Sequence, residues 1–344
     1  MTTSNKGVVA LKPNNPIPSW LEDLLICPAC GADVEGSARS FRCTVCGSEY
    51  PVRYGIPDFR RWPDPYITVD DELAKIRKLL TPAGRSFREL LADYYYVLSP
   101  ENPELHAHFI AAIEGSVVRG AALVLKLRAA FPDLGDRRLL DVGCGTAGLT
   151  LAASREFREV VGVDVALRYL LIGRQRLSEA GVDVPLICAN AEALPFREGV
   201  FDAVLADSVL EHVRDSSRMR DETIRVLAPG GAFFFTTNNR FNILPEPHLR
   251  ILGFGLLPRR WMEPVARRVR KTDYKTRLHS RRELRRIFRG VGRLDLPSYE
   301  PGELGERNER ARRLWDVLRR IPPIRWLLTP VVPQYFISGR KPGA

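Results

Sequence analysis

The chain lacks any run of about eighteen apolar residues, so no membrane-spanning helix is expected. Its opening stretch, Met1 to Ser19, has no apolar core of signal-peptide length and is broken by Pro13, Pro16 and Pro18, which argues against export. No internal repeat occurs, which excludes solenoids and propellers. Acidic residues are outnumbered, 41 against 52 basic ones, leaving a formal charge of +11 carried mainly by arginine. That excess suits an anionic partner such as nucleic acid, a phosphorylated substrate or an acidic lipid surface, and suits equally a general habit of arginine usage. Only six cysteines are present, four of them in two tight pairs. In a chain without a secretion signal that pattern points to a metal rather than to disulfides, and the expected compartment is the cytoplasm.

What is present divides into segments. The 344 residues suffice for one large or two modest domains. Residues 1–20 read as a leader and 21–60, rich in Cys, Gly and Pro, as a compact unit. The link Trp62-Pro63-Asp64-Pro65 follows, and then a helical cap over 66–131, with Leu73, Ile76, Leu79 and Leu80 at helical spacing and a second helix expected over 103–131. From 132 the texture becomes alternating. Short apolar strands are expected at 138–142, 160–164, 184–188, 201–205 and 231–236, with helices at 166–180 and 216–227 between them. After an irregular insertion at 239–279 come a helix at 281–288 and strands at 293–300 and 334–340, separated by a second insertion at 301–331. Strands alternating with helices predict an α/β, doubly wound, mostly parallel sheet of seven strands.

Asp141-Val142-Gly143-Cys144-Gly145-Thr146-Ala147-Gly148 follows the first strand of this region and opens a helix. Glycines there let the backbone turn sharply beside a helix N-terminus and approach a ligand. Asp164 ends the next strand, where an acid would bind ribose hydroxyls. These two features leave NAD and S-adenosylmethionine both open. Three others separate them: Asp141 two residues before the first glycine, Asn190-Ala191-Glu192-Ala193-Leu194-Pro195-Phe196 after the third strand, and Ala228-Pro229-Gly230-Gly231 entering the fifth.

In this order these segments resemble the class I S-adenosylmethionine-dependent methyltransferases, in particular the branch of the ubiquinone and menaquinone methyltransferases. The resemblance covers 105–240 well and 280–340 loosely. It implies that Asp141, Gly143 and Gly145 cradle the methionine portion, that Asp164 holds the ribose, and that Asn190 and the N–H of Ala191 face the adenine. Cys144, Val165 and Glu192 stand on the same turns, and Asp207 lines the pocket. Many relatives have Asp in place of Asn190, whose amide oxygen can still accept a hydrogen bond. The thiols of Cys144 and Cys188 are read as core packing. Methyl transfer from a sulfonium is an in-line displacement, in which a base near a hydroxyl acceptor is useful. Candidates for it are His212, in Val209-Leu210-Glu211-His212-Val213, and His248, in Pro245-Glu246-Pro247-His248. A shaping role competes for the first, a surface role for the second.

Cys27-Pro28-Ala29-Cys30 and Cys43-Thr44-Val45-Cys46 are two CxxC knuckles, each followed by a glycine, and four thiolates complete a tetrahedral structural zinc site. The continuation Tyr50-Pro51-Val52-Arg53-Tyr54-Gly55-Ile56-Pro57 resembles the zinc-ribbon activator subunits of tRNA, rRNA and release-factor methyltransferases. The acceptor expected is a small molecule or a lipid-linked saccharide intermediate, with the 239–279 insertion capping it. RNA, favoured by the charge and the ribbon, is the alternative. Finally, Arg307, Arg310, Arg312, Arg313, Arg319, Arg320 and Arg325 alternate with Leu314, Trp315, Val317, Leu318, Ile321, Ile324, Trp326, Leu327 and Leu328. This segment is expected to pack as a lid or to contact an anionic membrane from the inner face.

Overall fold

Strand alternation builds the core. In a computed structural model, which describes residues 17–81, 83–98, 103–242, 245–295, 309–318, 320–324 and 332–343, two sheets form. The first is an antiparallel meander of β1 (Val34–Gly36), β2 (Ser40–Cys43), β3 (Glu49–Arg53) and β4 (Ile56–Pro57), preceded by the single-turn helix α1 (Ser19–Glu22). The second contains β5 (Arg138–Val142), β6 (Glu159–Asp164), β7 (Leu186–Cys188), β8 (Phe201–Asp207), β9 (Leu227–Asn238), β10 (Arg293–Asp295) and β11 (Gln334–Arg340), in the order β10-β11-β9-β8-β5-β6-β7. Only β11 runs against its neighbours. The expected seven-stranded, doubly wound sheet is what forms.

Successive side chains alternate between its two faces. Leu139, Val160, Ala203, Leu205, Ala232, Phe234 and Phe336 pack on α5 (Ser116–Ala130) and α6 (Gly148–Ala153). Leu140, Val161, Val204, Phe233, Phe235 and Ile337 point the other way, onto α8 (Ser216–Val226) and α10 (Arg281–Ile287). The helix α7 (Leu167–Glu179) follows β6, and α2 (Val69–Leu79), α3 (Phe87–Tyr96) and α4 (Pro103–Glu114) cover its outer side, Leu79, Leu90 and Leu91 meeting Ile172.

Three differences from expectation have local causes. The helix expected over 103–131 is two, divided at Gly115, which ends one and caps the next. The irregular 239–279 insertion contains a helix, α9 (Arg259–Arg270), despite its prolines. Pro258 occupies the N-cap, where no N–H is needed, and Pro264 is tolerated because Met262 and Ala266 are buried on either side of it. The strand expected at 293–300 is described only as Arg293–Asp295; residues 296–300 lie outside the described residues.

The cysteine-rich unit shares the core of the large sheet. Residues 189–200, which carry the chain from β7 to β8, contain no helix. The face that a crossover helix would otherwise cover is taken by Leu21, Leu25, Phe41, Tyr50 and Phe59, in one cluster with Ile187, Leu194, Phe196 and Phe201. Phe59 is fully buried, stacked 4.8 Å from Tyr50 and 5.2 Å from Phe41. Backbone bonds fasten the seam: Ile26 N–H to Pro195 O at 3.0 Å, Arg197 N–H to Leu24 O at 2.8 Å, and Phe59 N–H to Cys188 O at 2.7 Å. The last of these continues the sheet beyond β7, so the edge strand is not left open. Truncating Phe59 to Ala should cost about 3–5 kcal/mol and lower the melting of the whole chain as one transition in circular dichroism. A separate early transition, with the remainder unchanged, would contradict the shared core.

Candidate active site

The glycine loop joins β5 to α6. Gly143 and Gly145 have φ of +72° and +51°, in the left-handed region that favours glycine. A Cβ at Gly143 would strike the Val209 side chain at 2.2 Å, whereas one at Gly145 would project into open space. The loop is thus closed on the side of the turn after β8 and open at Gly145. Asp164 crosses from β6 to hold it: its carboxylate accepts from Gly145 N–H at 2.9 Å and from Ala166 N–H at 2.8 Å. Asp141 is buried beneath and accepts from the Thr150 hydroxyl at 2.6 Å. Asp207 accepts from the Thr236 hydroxyl at 2.6 Å, and Arg119 of α5 reaches it at 3.5 Å.

Three carboxylates therefore surround one loop. Burial pushes the Asp141 carboxyl up to about 7; the Thr150 hydrogen bond opposes this, and the charges of Asp207 and Asp164 add to it. Burial likewise raises Asp164 to about 6 against the pull of its two backbone donors. Carboxylates on three sides of the loop suit the sulfonium and ammonium of S-adenosylmethionine better than the pyrophosphate of NAD, the two cofactors that the loop and Asp164 left open.

Asn190 is placed differently from expectation. Its amide oxygen accepts from the N–H groups of Arg61 (2.8 Å) and Trp62 (3.0 Å), and its amide nitrogen donates to Trp62 O at 3.1 Å. The side chain thus holds the 61–62 link over this end of the loop, and one of its amide N–H groups has no partner among the described residues. The N–H of Ala191 has no partner among the described residues. Glu192 accepts from Arg214 N–H at 2.6 Å, and the Val165 carbonyl accepts from Arg60 at 3.1 Å. Cys144 and Cys188 are buried, as packing residues should be.

Behind Asp164 lies an ion network that had no sequence signal. Arg60 bonds Asp58 at 2.7 Å and Glu72 at 2.7 Å; Arg168 bonds Asp64 at 2.6 Å and Glu72 at 2.8 Å. Glu72 is completely buried. These residues come from the link, α2 and α7, and together they clamp the Asp164–Ala166 turn.

His212 and His248 meet. Their Nε2 atoms are 3.1 Å apart, although 36 residues separate them. Glu246 Oε1 lies 2.6 Å from His248 Nδ1, and the Tyr66 hydroxyl lies 3.0 Å from His212 Nδ1. The order is Glu246–His248–His212–Tyr66. Burial, then the neighbouring His248, lowers the His212 pKa to about 4. Burial also acts to lower His248, but the Glu246 hydrogen bond and charge outweigh it, and the net shift is upward. His212 stands on the turn that packs against Gly143, its N–H bonded to Val209 O at 2.8 Å. Glu211 anchors that turn by accepting from Thr237 and Asn238 at 2.8 and 2.6 Å. Glu246 adjoined a candidate histidine in sequence, and its two-residue spacing was the available clue. Tyr66 had none, since folding alone brings it to His212.

Cys27, Cys30, Cys43 and Cys46 also converge. Their sulfurs all lie within 4.8 Å of one another, with the closest contacts at 3.4 and 3.6 Å. Four thiolates about 2.3 Å from a central zinc stand roughly 3.8 Å apart, so the cluster has the size of a tetrahedral four-thiolate site.

The fold and loop define a doubly wound α/β nucleoside-binding domain. Residues 140–235 match the methyltransferase domain family. The chain is 34% identical over 105 residues to the ubiquinone biosynthesis O-methyltransferase of Pectobacterium atrosepticum, covering 30% of this chain and 44% of that protein. It is 35% identical over 131 residues to the demethylmenaquinone methyltransferase of Thermus thermophilus (38% and 56%). Identity to the ubiquinone biosynthesis O-methyltransferase of a Chelativorans species is 36% over 130 residues (38% and 48%). The chain thus spans about half the length of the curated relatives it matches.

The raised acids give the ligand-free protein a pH dependence. Asp141 moves from 3.8 to about 7 on folding, so its ionisation opposes the fold. Stability is fully present below about pH 4 on this account and is lost as pH rises through about 7. Asp141→Asn should raise the melting temperature of ligand-free protein at pH 8 by about 2 °C or more, and leave it unchanged near pH 4. Equal melting of the two proteins at pH 8 in a thermal scan would show that this carboxylate is not destabilising.

Proposed function

We propose that this chain transfers the methyl group of S-adenosylmethionine to a hydroxyl of a small, lipid-linked acceptor. The observation that carries the reading is the Glu246–His248–His212–Tyr66 chain on the turn against Gly143, beside the acid-lined loop. When bound, S-adenosylmethionine supplies an electrophilic methyl on a sulfonium; Asp141, Gly143, Gly145 and Asp164 would hold it.

The protein's own part is to move a proton. Glu246 fixes the proton of His248 on Nδ1, which leaves Nε2 to accept from His212. His212 then carries its proton on Nε2 and offers Nδ1 to the Tyr66 hydroxyl. An acceptor O–H bonded to Tyr66 can pass its proton to the Tyr66 oxygen while Tyr66 passes its own to His212. His212 in turn releases one to His248, where the Glu246 carboxylate stabilises the imidazolium. One O–H bond of the acceptor breaks and one N–H bond forms on His248; Tyr66 is regenerated and His212 stays neutral, its proton moved from Nε2 to Nδ1.

His248→Gln should lower kcat by about 10²–10⁴-fold with little change in S-adenosylmethionine affinity. The active form needs neutral His248, so kcat should rise with pH through its elevated pKa. Glu246→Gln should shift that rising limb to lower pH while reducing the plateau. Labelled methyl transfer into fractionated extract should place the label in lipid or small-molecule pools. Label in RNA, or an unmoved pH limb in the Glu246 variant, would refute this reading.

The four cysteines would hold zinc and fix the ribbon that completes the sheet face. Its resemblance to activator subunits suits a supporting role. Purified protein should contain one zinc by elemental analysis. Cys43→Ser should lose it and, through the shared core, lower the melting temperature of the whole chain.

A further inference from the structure

The insertion that supplies Glu246 and His248 has a small core of its own, in which Leu249, Phe254, Met262, Ala266, Tyr274 and Leu278 pack together. Its outer side is unusual for a protein surface. Leu252 is 72% exposed, Leu256 58%, Trp261 53% and Val269 55%. Trp261 and Val269 lie about two turns apart on α9, with Val265 between them partly buried against that core. Residues 250–271 hold seven basic side chains, at 250, 259, 260, 267, 268, 270 and 271, against the single acid Glu263, which accounts for more than half of the net charge of +11. Arg267 is held by Glu263 and Asp273, and Arg259 by Glu283. Arg260 and Arg268 have no carboxylate partner among the described residues.

We propose that this face of the 250–271 insertion docks on an anionic lipid surface. Aliphatic and indole side chains enter the acyl boundary, and the flanking guanidinium groups meet phosphates. The apolar side chains favour lipid over RNA. A single-stranded RNA surface relies on aromatic stacking platforms, whereas three of the four side chains named as exposed here are aliphatic. The docking element is joined directly to the site: Leu249, next to His248, is part of the core beneath α9, and Arg270 bonds Leu249 O at 2.7 Å. Docking would therefore bring the proton relay to the membrane surface. This last point rests on the methyl-transfer reading; the docking itself does not. This surface is distinct in sequence from 307–328. There Leu314 and Val317 of α11 (Glu309–Leu318), both expected in a packed lid or a membrane face, are exposed; Arg307, Arg319, Arg325, Trp326, Leu327 and Leu328, with the side chains of Arg310, Arg312 and Trp315, lie outside the described residues.

The test is sedimentation of the full chain with vesicles of phosphatidylcholine alone and with about 30% phosphatidylglycerol added, in the absence of cofactor. Binding should require the anionic lipid and weaken in about 0.5 M salt. Leu252→Ser with Trp261→Ser, and separately Arg260→Glu with Arg268→Glu, should each reduce partitioning at least about tenfold. Both pairs are at the surface, and unchanged circular dichroism and S-adenosylmethionine affinity would show the fold intact. The proposal is overturned if the protein stays in the supernatant with anionic vesicles at low salt. It is equally overturned if the Leu252/Trp261 variant binds like the parent, or if tRNA is bound with the same dependence on Arg260 and Arg268 and none on Leu252. Because no methyl transfer is measured, failure here leaves the enzymatic reading untouched, and the reverse also holds.

Discussion

Arg60 is the point at which three parts of the chain become one structure. It bonds Asp58, just after β4, and Glu72, in α2, and it donates to the carbonyl of Val165 beside Asp164. Arg168 repeats the arrangement from α7, sharing Glu72 and adding Asp64. A buried ion pair contributes little net stability against well-packed apolar residues, but removing one partner is costly because a bare charge is left behind. The network therefore acts more as a register than as glue. It accepts one placement of the link over the Asp164–Ala166 turn and penalises others. Asn190 makes the same kind of choice by binding the backbone of Arg61 and Trp62 instead of pointing freely into the site.

The cysteine-rich unit is likewise tied to the large sheet. The crossover from β7 to β8 has no helix, so half of one sheet face would be wet without a substitute. Phe41, Tyr50 and Phe59 supply it. A metal-sized cluster of thiols at the far side of the same meander holds those rings from behind, with the Tyr50 hydroxyl 3.0 Å from Cys27 Sγ. The thiol cluster, the aromatic packing and the Asp164–Ala166 turn are therefore linked through one continuous set of contacts.

The site itself trades stability for charge. Asp141 and Asp164 are raised chiefly by burial, the charges of Asp207 and Asp164 adding to the first and that of Asp64 to the second. A cation placed beside these carboxylates would favour their ionised forms and offset part of that burial cost. The two histidines differ by a contrast in their surroundings. Both histidines are desolvated, but only His248 has a carboxylate within hydrogen-bonding distance, and the pair therefore has a direction.

Much of this was legible in order along the chain. The alternation of Leu139 with Leu140 and of Phe233 with Phe234, the glycines at 143 and 145, the acid at 164 and the two CxxC knuckles are local patterns with local physical causes. Strand faces, a left-handed turn, a strand-end carboxylate and a thiolate pair each need only a few neighbouring residues to specify them. Helix α9 was hidden because its prolines carry a strong local signal, while the burial of Met262 and Ala266 that overrides them is tertiary. The ion network, the grip of Asn190 on the link, and the meeting of Tyr66, His212 and His248 were decided by the tertiary structure alone. Most of their bonds join residues from tens to more than a hundred positions apart, and side chains so separated are matched by the packing of the elements that carry them, for which sequence spacing holds no record.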